Sequence, residues 1–207
     1  MRTEPGLRER KKQQTREVIA ESAGRLFAER GFDAVTVAEV ARAADVSEGT
    51  VFNYFPTKED LFYGGMEIFE AELVEAVRQR PAGESVLAAF RRFLVDRSAS
   101  LATKQTAEVI DRAARLVGAS PALQRRELEA VAKATGDLAA LIAAEAGAGD
   151  DDVEAWTVAN ALMGVQRGLV TRVRAQVLAG RRGQRLVSDT RSQAERAFAR
   201  LEAGLGS

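Results

Sequence analysis

The stretch TVAEVARAADVSEGTVFNYFPTKEDL, residues 36–61, decides the fold of this chain. Thr36 and Glu39 have the spacing of a capping box, which predicts that a helix begins at the residue after Thr36. Ser47 is a good N-cap and predicts the start of a second short helix. Pro56 ends that helix, because a residue that precedes proline is disfavoured in the helical region. The stretch therefore predicts two short helices joined by a tight turn, which is a helix-turn-helix.

The same stretch predicts a further helix and the shape of the turn. Thr57 and Asp60 repeat the capping spacing, so the next helix begins at Lys58. The turn contains Asp45, and the turn of a helix-turn-helix often needs a left-handed residue, which Asp tolerates better than most non-glycine residues. A short helix with a polar N-terminus has the size and shape to enter a DNA major groove.

Residues 15–61 resemble the DNA-binding domain of the tetracycline-repressor (TetR) family. Two residues depart from the family pattern: Asp45 stands where glycine is usual, and Glu48 where many relatives have a basic or neutral residue. The residues that match the pattern are Thr15, Ile19, Ala23, Leu26, Phe27, Gly31, Phe32, Thr36, Val37, Val40, Ala41, Val46, Ser47, Gly49, Thr50, Phe52, Tyr54, Phe55, Lys58, Glu59 and Leu61.

The resemblance implies an all-α homodimer built from two domains. Residues 1–60 would form a three-helix DNA-binding domain with a basic N-terminal arm, and residues 61–207 a helical ligand-binding and dimerisation domain. Helical periodicity along the chain agrees, because nothing alternates as a strand for long, and about nine helices are predicted. The other predicted helices span residues 7–30 or 10–30, 58–80, 84–101, 104–117, 121–146, 153–178 and 188–203. Asp151 and Glu154 are the predicted cap of the helix over 153–178.

The composition argues against several classes of protein. The 207 residues include no cysteine and no histidine, which excludes a disulfide framework, a thiolate metal site and the commonest general base. No metal or other cofactor is therefore predicted, and an enzyme is disfavoured. The sequence contains neither an apolar run of about eighteen residues nor an apolar signal segment at the N-terminus. We expect a cytoplasmic protein that makes no contact with a membrane.

A net charge of zero hides two basic stretches. Residues 1–16 carry six basic and two acidic side chains. An arm with this charge ahead of the first helix would lie on DNA phosphates or reach into the minor groove, and the alternative is a solubilising tail. The second stretch runs from Arg167 to Arg185. We interpret it as a solvated helix end and loop, because it falls away from the expected DNA-binding face.

The candidate DNA contacts centre on the second helix of the helix-turn-helix. Asn53 could pair with adenine through two hydrogen bonds, whereas threonine, tyrosine and lysine side chains more plausibly hold phosphates. Phe52 either touches a thymine methyl group or belongs to the core. Glu48 either accepts a hydrogen bond from a cytosine amino group or contacts nothing. The full set of candidates is Arg10, Lys11, Lys12, Thr36, Ser47, Glu48, Gly49, Thr50, Phe52, Asn53, Tyr54 and Lys58.

The candidate ligand contacts are polar or aromatic residues on otherwise apolar helix faces of the second domain. An apolar cavity with a few polar anchors is the usual form of a small-molecule site. Asn160 and Arg167 stand out, because a buried polar group needs a partner. For every candidate the alternative is plain core packing or an ion pair within the subunit. The set is Phe90, Phe93, Arg112, Leu116, Trp156, Asn160, Met163 and Arg167.

The last two predicted helices favour an interface with a second copy of the chain. The helix over 153–178 carries apolar residues on two sides, and a helix that is apolar on two sides is buried on two sides. Gly164 and Gly168 would let another helix approach closely. These features agree with the homodimer that the resemblance implies, in which two helices of each subunit form the interface. The alternative is a central helix in a monomer.

The sequence therefore predicts a ligand-responsive transcriptional regulator, and the resemblance favours a repressor. It would bind a pseudo-palindromic double-stranded DNA operator as a homodimer and be released by a small, apolar effector. Three alternatives stay open: a DNA-binding protein that senses no ligand, a helical enzyme, and a protein-interaction module. The last of these leaves the capping pattern and the basic N-terminus unexplained.

Overall fold

The computed structural model describes residues 7–63, 67–149 and 151–204. Within these ranges the chain forms ten α-helices and one 3-10 turn, Ala99–Ala102, and no strand, so the predicted all-α fold is confirmed. The α-helices are α1 (Leu7–Arg30), α2 (Val37–Ala43), α3 (Glu48–Tyr54), α4 (Lys58–Tyr63), α5 (Glu67–Arg78), α6 (Val86–Ser98), α7 (Lys104–Ala119), α8 (Pro121–Ala146), α9 (Val153–Leu178) and α10 (Gln184–Glu202).

Most helix boundaries follow the predictions because local signals set them. α1 ends where Gly31 adopts a φ of 83°, a left-handed conformation that glycine takes without strain. α8 and α9 span the predicted ranges, and α7 runs slightly further than predicted. α6 is shorter than predicted. Ser85 caps its start by accepting a hydrogen bond from the backbone N–H of Ala88, and the chain tightens into the 3-10 turn after Ser98.

The predicted cap of α9 and the predicted start of α10 are wrong. The N-cap of α9 is Asp152 rather than Asp151, because the Asp152 carboxylate is the one that accepts the backbone N–H of a residue in the first turn. α10 begins at Gln184 rather than Ser188. The earlier start places Leu186 and its neighbour in a buried cluster with residues of α9, and this burial outweighs the break predicted for the sequence RRGQR.

The helix predicted over residues 58–80 contains residues 64–66, which lie outside the described residues. Helical spacing predicts that Met66 lies on the apolar face of this helix and Leu205 on the apolar face of the last helix. Both residues lie outside the described part of the chain. On either side of the gap the structure contains α4 and α5. No helix in the described part of the chain is both long and apolar enough to cross a membrane.

The chain packs into two compact units. The first comprises the described residues up to Ile68 together with Leu116–Arg126, and the second comprises Phe69–Arg115 and the described residues from Glu127 onwards. The core of the first unit is built from residues of α1 to α4, to which the end of α7 and the start of α8 add Val117 and Leu123. The core of the second unit is built from α5, α6, α8, α9 and α10. The functional boundary predicted at residue 60 stays a prediction.

Candidate functional site

The helix-turn-helix is held by the hydrogen bonds that its sequence predicts. Thr36 and Glu39 form a reciprocal capping box at the start of α2, with N···O distances of 2.8 and 3.3 Å. Ser47 accepts the backbone N–H of Thr50 at 3.1 Å and so begins α3. Asp45 adopts a φ of 54°, which is the left-handed turn that the sequence requires. The turn between the two helices therefore forms with Asp45 in place of the usual glycine.

α3 is anchored on one side and free on the other. Val51 is fully buried, and Phe55, just after the helix, is almost fully buried in the core of the first unit. Thr50 and Tyr54 are half-buried beside this anchor. Because a helix turns 3.6 residues per turn, the opposite side faces away from the core. The exposed candidates on α3 and its cap are Ser47, Glu48, Gly49, Phe52 and Asn53.

The structure decides between two interpretations of Phe52. Its side chain is 46% exposed, so the interpretation as a core residue is wrong for the chain as it stands alone. The ring lies on the same exposed side of α3 as Asn53. The exposed side of α3 thus combines an amide that can read a base edge with an apolar group that can meet a thymine methyl.

Two further candidates flank α3. Thr36 is exposed at the N-terminus of α2, where backbone N–H groups and the helix dipole favour an anion such as a phosphate. Lys58 is half-buried: its Nζ lies 4.3 Å from the centroid of the Phe32 ring and donates to the backbone carbonyl of Asp33 at 3.5 Å. These two weak contacts hold the lysine stem while leaving the ammonium group able to donate further hydrogen bonds.

Hydrogen bonds to Glu39 stabilise its ionised form. The backbone N–H of Thr36 contributes most, followed by the Arg30 guanidinium and the Thr36 hydroxyl, and together they lower the pKa of Glu39 from 4.5 to about 2. Arg30 donates to this carboxylate at 2.7 Å from the end of α1. The capping box is therefore also a link between the first two helices.

The basic cluster near the N-terminus is helical rather than an arm. Arg10, Lys11 and Lys12 are exposed and lie within α1, which begins at Leu7, one of the two predicted starts. The interpretation of residues 1–16 as an arm ahead of the first helix is therefore wrong for these three residues. Arg2 and the side chain of Arg8 lie outside the described residues. The helix can begin early because Lys, Arg, Gln and Glu, which fill its first turns, have high helix propensity. The three positive charges are thereby held on one helical segment.

The segment Leu116–Arg126 supports the helix-turn-helix unit, and sequence reasoning missed it. Tyr63, on α4, donates its hydroxyl proton to the backbone carbonyl of Leu123 at 3.0 Å, in a buried site. Ser120 donates to Asp33 at 2.8 Å, and Arg126 pairs with Asp60 at 3.2 Å. These contacts join residues 60 or more positions apart in sequence, which no local pattern encodes.

The structure brings together three of the eight ligand candidates. Phe90 and Met163 are fully buried in the core of the second unit, and Phe93 packs against that core. Leu116 belongs instead to the first unit, where it packs against the helix-turn-helix core. An effector bound among the first three residues would therefore lie in the second unit, between α6 and α9.

The other four ligand candidates face solvent in this structure. Arg112, Asn160 and Arg167 are exposed, and Trp156 is 39% exposed. The expectation that Asn160 and Arg167 are buried is wrong, because they fall outside the buried face of α9. Asn160 donates to the backbone carbonyl of Trp156, one turn earlier in the same helix, at 2.8 Å. Their predicted contact with a ligand stays a prediction.

Two buried glutamines on α9 are the polar groups that sequence reasoning missed. Gln166 is 2% exposed and Gln176 is 8% exposed, and the Oε1 atom of each has no hydrogen-bond partner among the described residues. Gln166 follows Met163 by three residues and Leu162 by four, which places it on the buried face. That spacing was a usable signal. An unpaired buried carbonyl oxygen is costly, so each glutamine is a candidate acceptor for a donor that binds.

The fold and the exposed face of α3 define a DNA-binding transcriptional regulator of the helix-turn-helix class. Residues 19–63 match the profile of the "Bacterial regulatory proteins, tetR family". The chain is 32% identical over 157 residues to the HTH-type transcriptional regulator TcmR of Streptomyces glaucescens, which covers 72% of this chain and 67% of TcmR. The chain belongs to the TetR family of transcriptional regulators, which are not enzymes.

Solved structures share the whole fold. NalD of Pseudomonas aeruginosa, the secondary repressor of the MexAB-OprM multidrug efflux pump, is 20% identical with a TM-score of 0.59, covering 90% of this chain and 96% of NalD. SmeT in complex with triclosan is 14% identical with a TM-score of 0.59, covering 92% of this chain and 90% of SmeT. At identities this low, the likeness shows that the fold is shared and nothing more.

Proposed function

We propose that this chain is a ligand-responsive repressor that acts in the cytoplasm and binds a pseudo-palindromic operator as a homodimer. The observation that carries the proposal is the exposed side of α3, which presents Asn53 and Phe52 above a buried anchor at Val51. One such helix reads only a few base pairs, so two copies are needed for a specific site. The name of NalD as a repressor supports the sign of regulation.

The candidate DNA contacts divide into those that read bases and those that hold the backbone. Asn53 would pair with adenine, Phe52 would meet a thymine methyl, and Glu48 would accept from a cytosine amino group. The remaining contacts would bind phosphates and fix the register of the helix in the groove. They are Arg10, Lys11, Lys12, Thr36, Ser47, Gly49, Thr50, Tyr54 and Lys58.

The effector is proposed to be a small, largely apolar molecule that carries a hydrogen-bond donor. The effector would enter the apolar core of the second unit, which includes Phe90 and Met163 and against which Phe93 packs. Gln166 has a buried, unpaired acceptor on the same helix as Met163. The complex of SmeT with triclosan supports binding of such a compound in this fold. The donor would pair with the Gln166 Oε1 and remove the cost of leaving it unpaired.

Release from DNA would be allosteric. An effector can shift the equilibrium only by the difference in its affinity for the two states of the protein, which is typically about 1–3 kcal/mol, or roughly 5–150-fold in DNA affinity. The effector would have to change the distance between the two α3 helices of the dimer, so that they no longer fit successive major grooves of DNA.

The experiment measures DNA binding by fluorescence anisotropy, using the promoter of the adjacent gene, with wild type and Asn53→Ala. We expect tight, salt-dependent binding by the wild type and loss of sequence preference in the variant, since one good base contact contributes about 1–3 kcal/mol. Asn160→Ala is the control, because Asn160 is also exposed but lies on α9. Equal binding by all three proteins would exclude the proposed readout.

A reporter gene behind the same promoter then tests the sign and the effector. We expect expression of the reporter to rise when the gene that encodes this chain is deleted, and also when an apolar compound with a hydrogen-bond donor is added. Binding without any response to a broad panel of such compounds would favour the alternative of a DNA-binding protein that senses no ligand. Expression that falls on deletion would identify an activator.

A further inference from the structure

Two aromatic rings lie together on one side of the core of the second unit. Most of the half-buried side chains that pack against this core in the described part of the chain are aliphatic, and the aromatic ones are Phe69 on α5 and Phe93 on α6. Their ring centroids are 5.4 Å apart, and the rings are inclined at 61°. One ring therefore presents its face where the other presents its edge, which is an arrangement that aromatic pairs prefer.

The guanidinium group of Arg97 covers this pair of rings. Its Cζ lies 5.7 Å from the centroid of the Phe69 ring and 5.9 Å from that of the Phe93 ring. Because the rings are 5.4 Å apart, the three groups form a nearly equilateral triangle, with the cation over the gap between the rings. Arg97 follows Phe93 by four residues on α6, which places the two side chains on the same side of the helix. We call these three side chains the aromatic notch.

Arg97 is held over the rings by weak contacts. Its guanidinium pairs with the Glu72 carboxylate on α5 at 3.0 Å, and the two side chains are 51% and 42% exposed. An ion pair this exposed contributes little to stability, since water competes for both partners. Both cation–π distances are close to the limit of about 6 Å at which the attraction is felt. Arg97 can therefore move away from the rings at small cost.

The aromatic notch is continuous with the buried core. Phe93 follows Phe90 by three residues on α6, and Phe90 is fully buried with its ring 6.2 Å from the Phe198 ring of α10. Met163 is buried in the same core. A molecule that reaches this core must first displace a side chain at its surface, and a side chain with weak contacts is displaced most easily. Arg97 fits that requirement.

We propose that the aromatic notch binds a flat aromatic ring of the effector, which inserts between the Arg97 guanidinium and the two phenylalanine rings. The inference rests on the proposed function and adds the chemical class of the effector and its point of entry. A flat ring needs about 3.5 Å on each side, or about 7 Å in all. The guanidinium therefore moves outwards by roughly 1 Å, which the long arginine side chain achieves by small rotations about its bonds.

The groups of the notch favour an aromatic ring over an aliphatic ring of the same size. A guanidinium is attracted to the electron-rich face of an aromatic ring, and the attraction grows when water is excluded. Phe69 and Phe93 can meet the same ring with a face and an edge. A saturated ring fills the same volume but gains neither interaction. The notch thus selects for aromatic character beyond simple apolarity.

The experiment compares two probes on the full-length chain by calorimetric titration: 2-naphthol and its saturated analogue decahydro-2-naphthol. Both are small and apolar and carry one hydroxyl donor, so they differ chiefly in the aromatic rings. We expect 2-naphthol to bind at least about fivefold more tightly, because contact with an aromatic ring and contact with a cation each strengthen binding about twofold or more. Equal affinities, or no binding of 2-naphthol, would overturn the proposal.

Variants of the notch assign the preference to its side chains. Arg97→Met removes the charge and keeps an unbranched apolar side chain, so it should weaken binding of 2-naphthol by about 2- to 30-fold and leave decahydro-2-naphthol unchanged. Arg91→Met is the matched control. Arg91 lies on the same helix and is also ion-paired, with Glu202 at 3.0 Å, but its guanidinium covers neither Phe69 nor Phe93. The control should change neither affinity.

Phe69→Leu and Phe93→Leu keep an apolar side chain and remove the ring. Each should weaken 2-naphthol more than decahydro-2-naphthol, by about 2- to 10-fold in the ratio of the two affinities. General damage to the core lowers both affinities together and leaves this ratio unchanged, so a variant that is less stable still gives an answer. A ratio that stays at the wild-type value in Arg97→Met and in both leucine variants would overturn the notch as the binding site.

The outcomes separate this inference from the proposed function. Promoter DNA binding by Arg97→Met should match that of the wild type, because Arg97 belongs to the second unit. A wild-type chain that binds the promoter and is released by other compounds, but shows no preference for 2-naphthol, overturns the inference and leaves the ligand-responsive repressor standing. A chain that binds no promoter DNA overturns the proposed function. A preference for 2-naphthol that Arg97→Met abolishes would then still establish the notch as a site for aromatic rings.

Discussion

At the scale of the residue, Asp45 stands where the family usually has glycine, yet its backbone adopts the left-handed turn. Its φ of 54° lies in the left-handed region, where a Cβ atom clashes with the following carbonyl group. Asp45→Ala should lower the free energy of unfolding, and Asp45→Gly should be about 1 kcal/mol more stable than the alanine variant. Urea denaturation measures both. An alanine variant as stable as the glycine variant would contradict the strain, because alanine is favoured over glycine at ordinary helical positions.

Glu39 makes stability depend on pH. Hydrogen bonds from Thr36 and Arg30 lower the pKa of Glu39 from 4.5 to about 2 in the folded chain. The ionised carboxylate therefore stabilises the fold fully above pH 4.5, and this contribution is lost as the pH falls towards 2. The free energy of unfolding of wild type and Glu39→Gln should differ most near neutral pH and converge near pH 2. A difference that does not change between pH 7 and pH 2 would exclude this linkage.

Gln166 is a buried amide whose Oε1 is unpaired in the structure. Gln166→Met keeps the length of the side chain and removes the unpaired oxygen, so it should raise the melting temperature. The same change should abolish the response of DNA binding to a donor-bearing effector, because it removes the acceptor. Thermal unfolding and anisotropy measure the two effects. Lower stability in the variant would contradict the cost assigned to the unpaired Oε1.

At the scale of the element, the N-cap residue of α3 stabilises the first turn of the helix that we propose enters the major groove. Ser47 accepts the backbone N–H of Thr50 and begins the helix. Ser47→Ala should cost about 1 kcal/mol of stability and weaken DNA binding, because the first turn of α3 frays. Ser188→Ala, an exposed serine inside α10, is the control and should change neither. Circular dichroism with urea and anisotropy give the two readings. Unchanged DNA affinity in Ser47→Ala would place the first turn of α3 outside the interface.

The helix-turn-helix could be predicted from sequence because its determinants are local. Each cap joins residues three positions apart, and the left-handed turn depends on one residue, Asp45. The same logic placed α8 and α9 correctly. It failed at α10, where the burial of Leu186 in a cluster with α9 decides the start of the helix. Tertiary contacts override local signals in such places.

The functional residues of the second unit could be predicted only in part. α9 carries apolar residues on much of its circumference, so its sequence does not show which side is buried. The sequence predicts that Asn160 and Arg167 are buried, whereas in the structure both are exposed and Gln166 is buried instead. Similarly, the contact of Tyr63 with Leu123 joins distant segments and depends on the path of the chain through α5 to α7, which periodicity does not encode.

At the scale of the whole molecule, the order of packing differs from the order of the chain. Leu116–Arg126 packs in the same unit as the helix-turn-helix, and one of the three divisions between the units falls inside α8, between Arg126 and Glu127. Arg126 pairs with Asp60 in the first unit, and Glu127 pairs with Arg174 in the second. Two adjacent residues of α8 thus serve different units.

The segregation of charge in a neutral chain predicts strong salt dependence of DNA binding. The net charge is zero, yet Arg10, Lys11 and Lys12 form an exposed basic cluster on α1. Each phosphate contact contributes about −0.9 to the slope of log affinity against log salt concentration. Replacing all three residues with alanine should flatten the slope by about 0.9 for each phosphate that these side chains neutralise in each copy, with sequence preference unchanged. Arg196→Ala, an exposed basic residue on α10, should leave the slope as it is. A triple variant with the wild-type slope would show that this part of α1 does not touch the DNA backbone.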